Sequence, residues 1–118
     1  MADKPYLWIV FVRLPAELED KFERWYDDVH VPLVTAGGHF SSITRYRMTD
    51  AFPSDLSKYI AVCEFRDEDI FRQWLVSDAR AEAARDTAAT WAGTDMEFMP
   101  KAFYEPYRSY ELPRRTPA

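Results

Sequence analysis

Residues 6–13, YLWIVFVR, run almost without a polar break. A β-branched and aromatic run of that length predicts a strand buried on both faces. Pro15 then suits the first turn of a helix. From there the apolar residues fall at Leu18, Phe22, Trp25, Tyr26 and Val29, which is helical spacing. Glu17, Glu19, Asp20, Glu23 and Arg24 take the outer face. The helix weakens at His30-Val31-Pro32, because a residue before proline avoids the helical region. A last turn runs through Leu33-Val34, and Gly37-Gly38 stops it.

Residues 40–48, FSSITRYRM, alternate and predict a second strand. Residues 50–57 carry turn chemistry. Residues 58–65, KYIAVCEF, predict a third strand, again apolar on both faces. Residues 66–93 read as helical: acids first, then Ile70, Phe71, Trp74 and Leu75, an Ala-rich half, and Gly93 at the close. The stretch VSDARAE is a candidate break within it. Residues 95–112 predict a fourth, aromatic strand, which Pro100 restricts to an edge or bulges. The last six residues, 113–118, are expected to be a disordered tail, leaving one domain over 1–112.

The order β-α-β-β-α-β is the ferredoxin-like arrangement, an α+β fold with four antiparallel strands and two helices on one face. Its other face ought to meet water, yet Leu7, Ile9 and Phe11 alternate with Tyr6, Trp8, Val10 and Val12. Ile60 and Val62 do the same against Tyr59, Ala61, Cys63 and Phe65. Two apolar faces need two covers. The helices supply one, and a second copy of the sheet is the simplest other, so a homodimer is expected.

Composition narrows the function. The chain has 118 residues, 47% of them hydrophobic and 16% aromatic, enough for a core. One cysteine, Cys63, allows no internal disulfide, which fits a reducing, cytoplasmic setting. The apolar run at 6–12 is too short to span a membrane. A net charge of −5 with dispersed basic residues argues against nucleic acid as a partner. Three glycines supply no phosphate-cradling loop, and no Cys/His cluster has zinc-site spacing. No metal, heme or flavin is expected.

The motifs WYDDVHVPLV with the Gly pair after it, ITRYRM, and KYIAVCEFRDEDIF resemble the dimeric α/β-barrel superfamily, and within it the EthD-like group. The resemblance covers roughly residues 6–75, and the element order extends it to about 105. It implies a dimeric α/β barrel whose His-x-Pro histidine, here His30, faces the barrel cavity. It names no reaction. The superfamily holds cofactor-free monooxygenases, polyketide cyclases, dehydratases, isomerases, heme enzymes and members without known activity. Its heme enzymes draw a proximal histidine from in or after the second helix, where this chain has none.

His30 and His39 are the only histidines. His30 sits at the helix break, where it can reach a cleft and act as general acid or base, or else serve as a helix-end residue held by the dipole. Asp27, one turn earlier, and Tyr26, four residues earlier, are candidates to orient it. His39, on a loop at a strand mouth, is a second candidate contact for a substrate. Trp8, Tyr46, Tyr59, Phe65, Phe98 and Tyr104 are core or interface fillers one by one. Together they imply an aromatic-lined cavity with tyrosine hydroxyls as polar handles. Tyr46 or Tyr59 would hold a carbonyl or phenol oxygen. Arg45 binds a carboxylate or enolate if it faces a cavity, and snorkels to the surface if it faces the helices, which its pattern favours. Glu64 is either solvated at a strand end or a buried base. Cys63 reads as a small core residue.

Two functions follow. One is a cofactor-independent lyase, isomerase or cyclase, or a cofactor-free oxygenase, acting on a small apolar aromatic or polyketide-like carbonyl compound. In it His30, Asp27 and Tyr46 are catalytic, and Trp8, Tyr26, His39, Tyr59, Phe65 and Tyr104 bind substrate. The other is a non-catalytic dimeric module that binds a small molecule.

Overall fold

A computed structural model describes residues 4–116. Five strands form one antiparallel sheet: β1 (Tyr6–Arg13), β2 (Ser42–Arg47), β3 (Tyr59–Phe65), β4 (Glu97–Phe98) and β5 (Ala102–Tyr104). The order is β2-β3-β1-β4, and β5 also pairs with β1. This is the expected ferredoxin-like sheet. β1 lies at its centre because its uninterrupted apolar run can be covered from both sides.

The predicted fourth strand is shorter than its pattern suggests. It divides into β4 and β5 along the same edge of β1, and Met99 N–H keeps the ladder by donating to the Phe11 carbonyl at 2.9 Å. Pro100 has no amide proton for the next step, so pairing lapses there and resumes at Ala102. Residues 105–116 are exposed and carry no regular structure. Residues 117–118 of the expected tail and residues 1–3 lie outside the described residues.

The helical layer begins with a 3-10 turn (Ala16–Leu18) and α1 (Glu19–Trp25). The predicted break at His30-Val31-Pro32 is instead a change of pitch. A π-turn spans Tyr26–His30, and α2 (Val31–Val34) continues from it with Pro32 in its first turn. The second helical region is two helices, α3 (Glu68–Leu75) and α4 (Asp78–Thr90), broken where VSDARAE allowed it. Asp67 caps α3 by accepting from the Ile70 N–H, and Ser77 caps α4 by accepting from the Arg80 N–H. Gly38 and Gly93 follow helical segments with φ of +73° and +74°, the left-handed region in which glycine avoids a side-chain penalty.

Register assigns the faces. Trp8 lies opposite Cys63, Val10 opposite Ala61, Ile43 opposite Cys63 and Arg45 opposite Ala61. These residues face the helices. Leu7, Ile9, Phe11, Ile60, Val62 and Tyr46 share the other face, which no helix or strand among the described residues covers. The core lies between sheet and helices and is mainly aromatic. Phe65, fully buried, touches Phe40, Phe71, Trp74 and Phe103 with ring centroids 4.6–6.2 Å apart.

Phe65→Ala is expected to cost about 3–5 kcal/mol, because four rings frame the void it leaves. Phe52→Ala, at a site 86% exposed, should stay within about 0.5 kcal/mol of the parent. Urea unfolding of both variants checks the contrast.

Candidate functional site

The site starts with a missing proton. Pro32 cannot donate the backbone hydrogen bond that an α-helix would direct to Asp28, and its ring crowds the preceding turn. The turn before it is wider, and the Val31 N–H reaches back five residues to the Tyr26 carbonyl. In such a turn, residues five apart stand one above the other. His30 accordingly stacks on Trp25 with centroids 4.5 Å apart and 28° between planes, and meets Tyr26 at 5.0 Å. Val29, which helical spacing assigns to the inner stripe, is 37% exposed. The added residue rotates it outward and brings His30 in.

His30 lines a cavity of about 290 Å³ between the sheet and α4. Trp8, Val10, Ile43 and Cys63 form its floor, and Tyr26, Val34, Phe40 and Trp74 its inner wall. Arg80, Ala83, Ala84, Thr87 and Ala88 face it from α4, at spacings of three and four that define one helical face. Phe98 and Lys101 complete the far side. The void exists because that face of α4 carries mostly methyl groups where a packed helix would present Leu or Phe. α4 is held instead from its C-terminal half. Trp25 Nε1 donates to Asp86 Oδ2 at 2.8 Å, Lys21 Nζ donates to the Thr90 carbonyl at 3.0 Å, and Trp91 packs edge-on against Trp25.

Burial lowers the His30 imidazole from 6.5 to about 4; the Asp86 carboxylate opposes that shift and the Lys101 ammonium reinforces it. The ring is therefore neutral at pH 7. Its Nδ1 is buried without a hydrogen-bond partner. Burial is also the main reason that the Tyr26 phenol titrates well above its usual range, with the Cys63 thiol adding to the effect, Arg45 opposing it and Asp27 adding again. Tyr26 stays a proton donor. Burial pushes the Cys63 thiol up to about 12, slightly offset by Lys101, so it is a wall residue and not a thiolate nucleophile.

Of the residues nominated from sequence, the cavity brings together His30, Tyr26, Trp8 and Phe98. Tyr59 and Phe65 lie in the core beneath and do not line it. Tyr46 is on the opposite sheet face and 53% exposed. Its neighbour Arg45 faces the helices, and strand alternation then turns Tyr46 away. Tyr104 pairs with Leu7 and faces outward for the same reason. Asp27 is engaged elsewhere, 3.6 Å from Arg45 Nη1. Arg45 lies across the Tyr26 ring, 4.3 Å from its centroid, and forms a two-point pair with Glu23 at 2.9 and 3.2 Å. It is the snorkelling residue its pattern favoured. His39 folds over Gly37, where an added Cβ would lie 2.5 Å from its ring, and it does not reach the cavity. Glu64 is on the outer face, accepting from the Ser42 hydroxyl. Arg80 and Lys101 were not among the sequence candidates. The methyl stripe Ala83-Ala84-Ala88, with Arg80 one turn before it, is the signal that could have found the α4 wall.

A family model described as "Domain of unknown function (DUF4286)" matches residues 5–99. The chain belongs to this family. None of the curated proteins matches it. Among solved structures, an EthD (ethyl tert-butyl ether D) family protein from Bacillus halodurans superposes with a TM-score of 0.67 at 16% identity, covering 88% of this chain and all of that one. HapK from Hahella chejuensis gives 0.64 at 16%, covering 91% of this chain and 97% of that one. SnoaB, a cofactor-independent oxygenase from Streptomyces nogalater, gives 0.53 at 20%, covering 89% of this chain and 93% of that one. These likenesses establish the EthD-like, ferredoxin-like fold of this DUF4286 member. Among the described residues, no helix is long and apolar enough to cross a membrane, and no three His, Cys, Asp or Glu side chains are grouped to hold a metal.

Because the folded imidazole resists protonation and the unfolded one does not, the unfolded state binds the extra proton below pH 6.5. Stability should fall as pH drops from about 6.5 towards 4, and His30→Gln should lose that part of the slope. Urea midpoints of both proteins at pH 7 and 5 measure the difference; parallel shifts would contradict the buried neutral ring.

Proposed function

We propose that the protein is a cofactor-independent enzyme. It moves a proton on a small, largely apolar aromatic or polyketide-like carbonyl compound held between the sheet and α4. The observation that carries this reading is His30: a neutral imidazole, fixed by stacking on Trp25, at the wall of an aromatic cavity. His30 takes the proton. Its low proton affinity suits a hydrogen already acidified by neighbouring carbonyls or by an aromatic ring that gains from the loss. The Tyr26 phenol, kept protonated, donates to the oxygen on which charge develops, the role that the strand pattern had suggested for Tyr46. Trp8 and Trp74 grip the ring system. Lyase, isomerase and cyclase chemistry use these parts, and so does oxygenation by a substrate carbanion; SnoaB is by name a cofactor-independent oxygenase.

A second reading, a binding module without catalysis, draws on one observation. Among the described residues no carboxylate bonds to His30: Asp27 pairs with Arg45, and Nδ1 is unpartnered. A screen of aromatic and polyketide-like carbonyl compounds against the parent and His30→Ala separates the two. The enzyme reading expects turnover to fall about 10²-fold or more in the variant, with the melting temperature little changed. Binding retained with no turnover in either protein would favour the module.

Assembly completes the proposal. The uncovered face of Leu7, Ile9, Phe11, Ile60 and Val62 pairs with the same face of a second copy, burying more than about 800 Å² per partner. Tyr107, Tyr110 and Leu112, all exposed, add to the contact. Sedimentation at micromolar concentration should show a dimer, and Val62→Lys a monomer. A monomeric parent would refute the pairing.

A further inference from the structure

Arg80 and Lys101 face the same cavity from opposite walls, one from α4 and the other from the segment between β4 and β5. Neither lies within ion-pair distance of an acid among the described residues; the five ion pairs there involve other side chains. Each is held by an aromatic ring. The Arg80 guanidinium lies 5.6 Å from the centroid of Trp74, and the Lys101 ammonium 4.6 Å from that of Phe98. Two cations at one small, largely apolar cavity repel, and the chain as a whole is acidic, with a net charge of −5. Lys101 shows the strain: its proton affinity is lowered, first by burial and then by Arg80. Asp86, the nearby acid, is already tied to the Trp25 indole and the Thr90 hydroxyl and is not a cavity residue.

Resting on the reading of this cavity as a small-molecule site, we infer that its ligand is an aromatic carboxylate, whose anionic group Arg80 and Lys101 grip together while its rings lie on Trp8 and Trp74. A guanidinium offers two parallel donors to a carboxylate, and an ammonium adds a third from the other wall. Cation–π seating fixes both heads at the rim before a ligand arrives. At about 290 Å³ the cavity is small for a binding site, which limits the ligand to one or two fused rings. The cations then set orientation. The carboxylate points to the α4 and Lys101 side, and the reacting part of the ring system is left to His30 and Tyr26.

The test compares 2-naphthoate with neutral 2-naphthamide, read by quenching of tryptophan fluorescence and by calorimetry. The parent is expected to bind the carboxylate about tenfold or more tightly than the amide, as charge-assisted hydrogen bonds allow. Arg80→Gln and Lys101→Met should each remove most of that preference and leave amide binding unchanged. Arg85→Gln, on the same exposed helix but outside the cavity, should leave both as they were. Raised salt should weaken the carboxylate only. Equal affinity of the parent for both probes, or variants that keep the preference, would overturn the carboxylate grip while the cavity reading stands. Binding of neither probe would overturn both.

Discussion

Everything distinctive about the helical layer depends on a hydrogen bond that Pro32 cannot make. A regular helix through this segment would place Val29 inward and His30 at the margin. The π-turn adds one residue to that turn, and the Trp25–His30 stack, five positions apart, is its side-chain consequence. The same indole reaches Asp86 with its nitrogen and so fastens α4. One tryptophan thus positions both the imidazole and the helix that encloses it. The distortion is local, and α2 resumes at Val31.

Arg45 is the complementary constraint on the other side of that helix. Its guanidinium covers Tyr26 and pairs with Glu23 and Asp27, tying α1 and the π-turn to the edge strand β2. This arrangement has a chemical consequence. Asp27, the acid one turn before His30, is spent on structure, and among the described residues no acid hydrogen-bonds the imidazole, which is tuned by burial and by the charges of Asp86 and Lys101. An imidazole of this kind rests neutral and depends on stacking for its orientation.

The sheet was legible in the sequence because strand register follows from alternation. Residues 6–13, 42–47 and 59–65 lie where their patterns put them, and the glycines at 38 and 93 end helical segments as expected. Alternation also implied that Arg45 and Tyr46 cannot share a face, and the tyrosine lies on the wrong one for its nominated role. Less was legible at the site. A π-turn leaves no periodic signature of its own; only the His-x-Pro step hints at it. Arg80 and Lys101 were invisible because a cation on an Ala-rich helix, or beside a proline, has the pattern of solvated surface. Their convergence is a fact of tertiary structure, created by a helix break at residues 76–77 and a strand interruption at Pro100.

The methyl stripe on α4 has a consequence for how the cavity can change. Ala84 and Ala88 face the cavity, yet both are exposed and belong to no part of the buried core. Enlarging either one reshapes the chamber without disturbing the aromatic packing on which folding depends. Tyr26, Val34, Cys63, Trp74 and Ala83 serve both cavity and core, whereas Ala84 and Ala88 bear on the shape of the cavity alone. Single substitutions at these two positions can therefore remodel the chamber while the core, and the hold that Trp25 and Ala83 keep on α4, stay as they are.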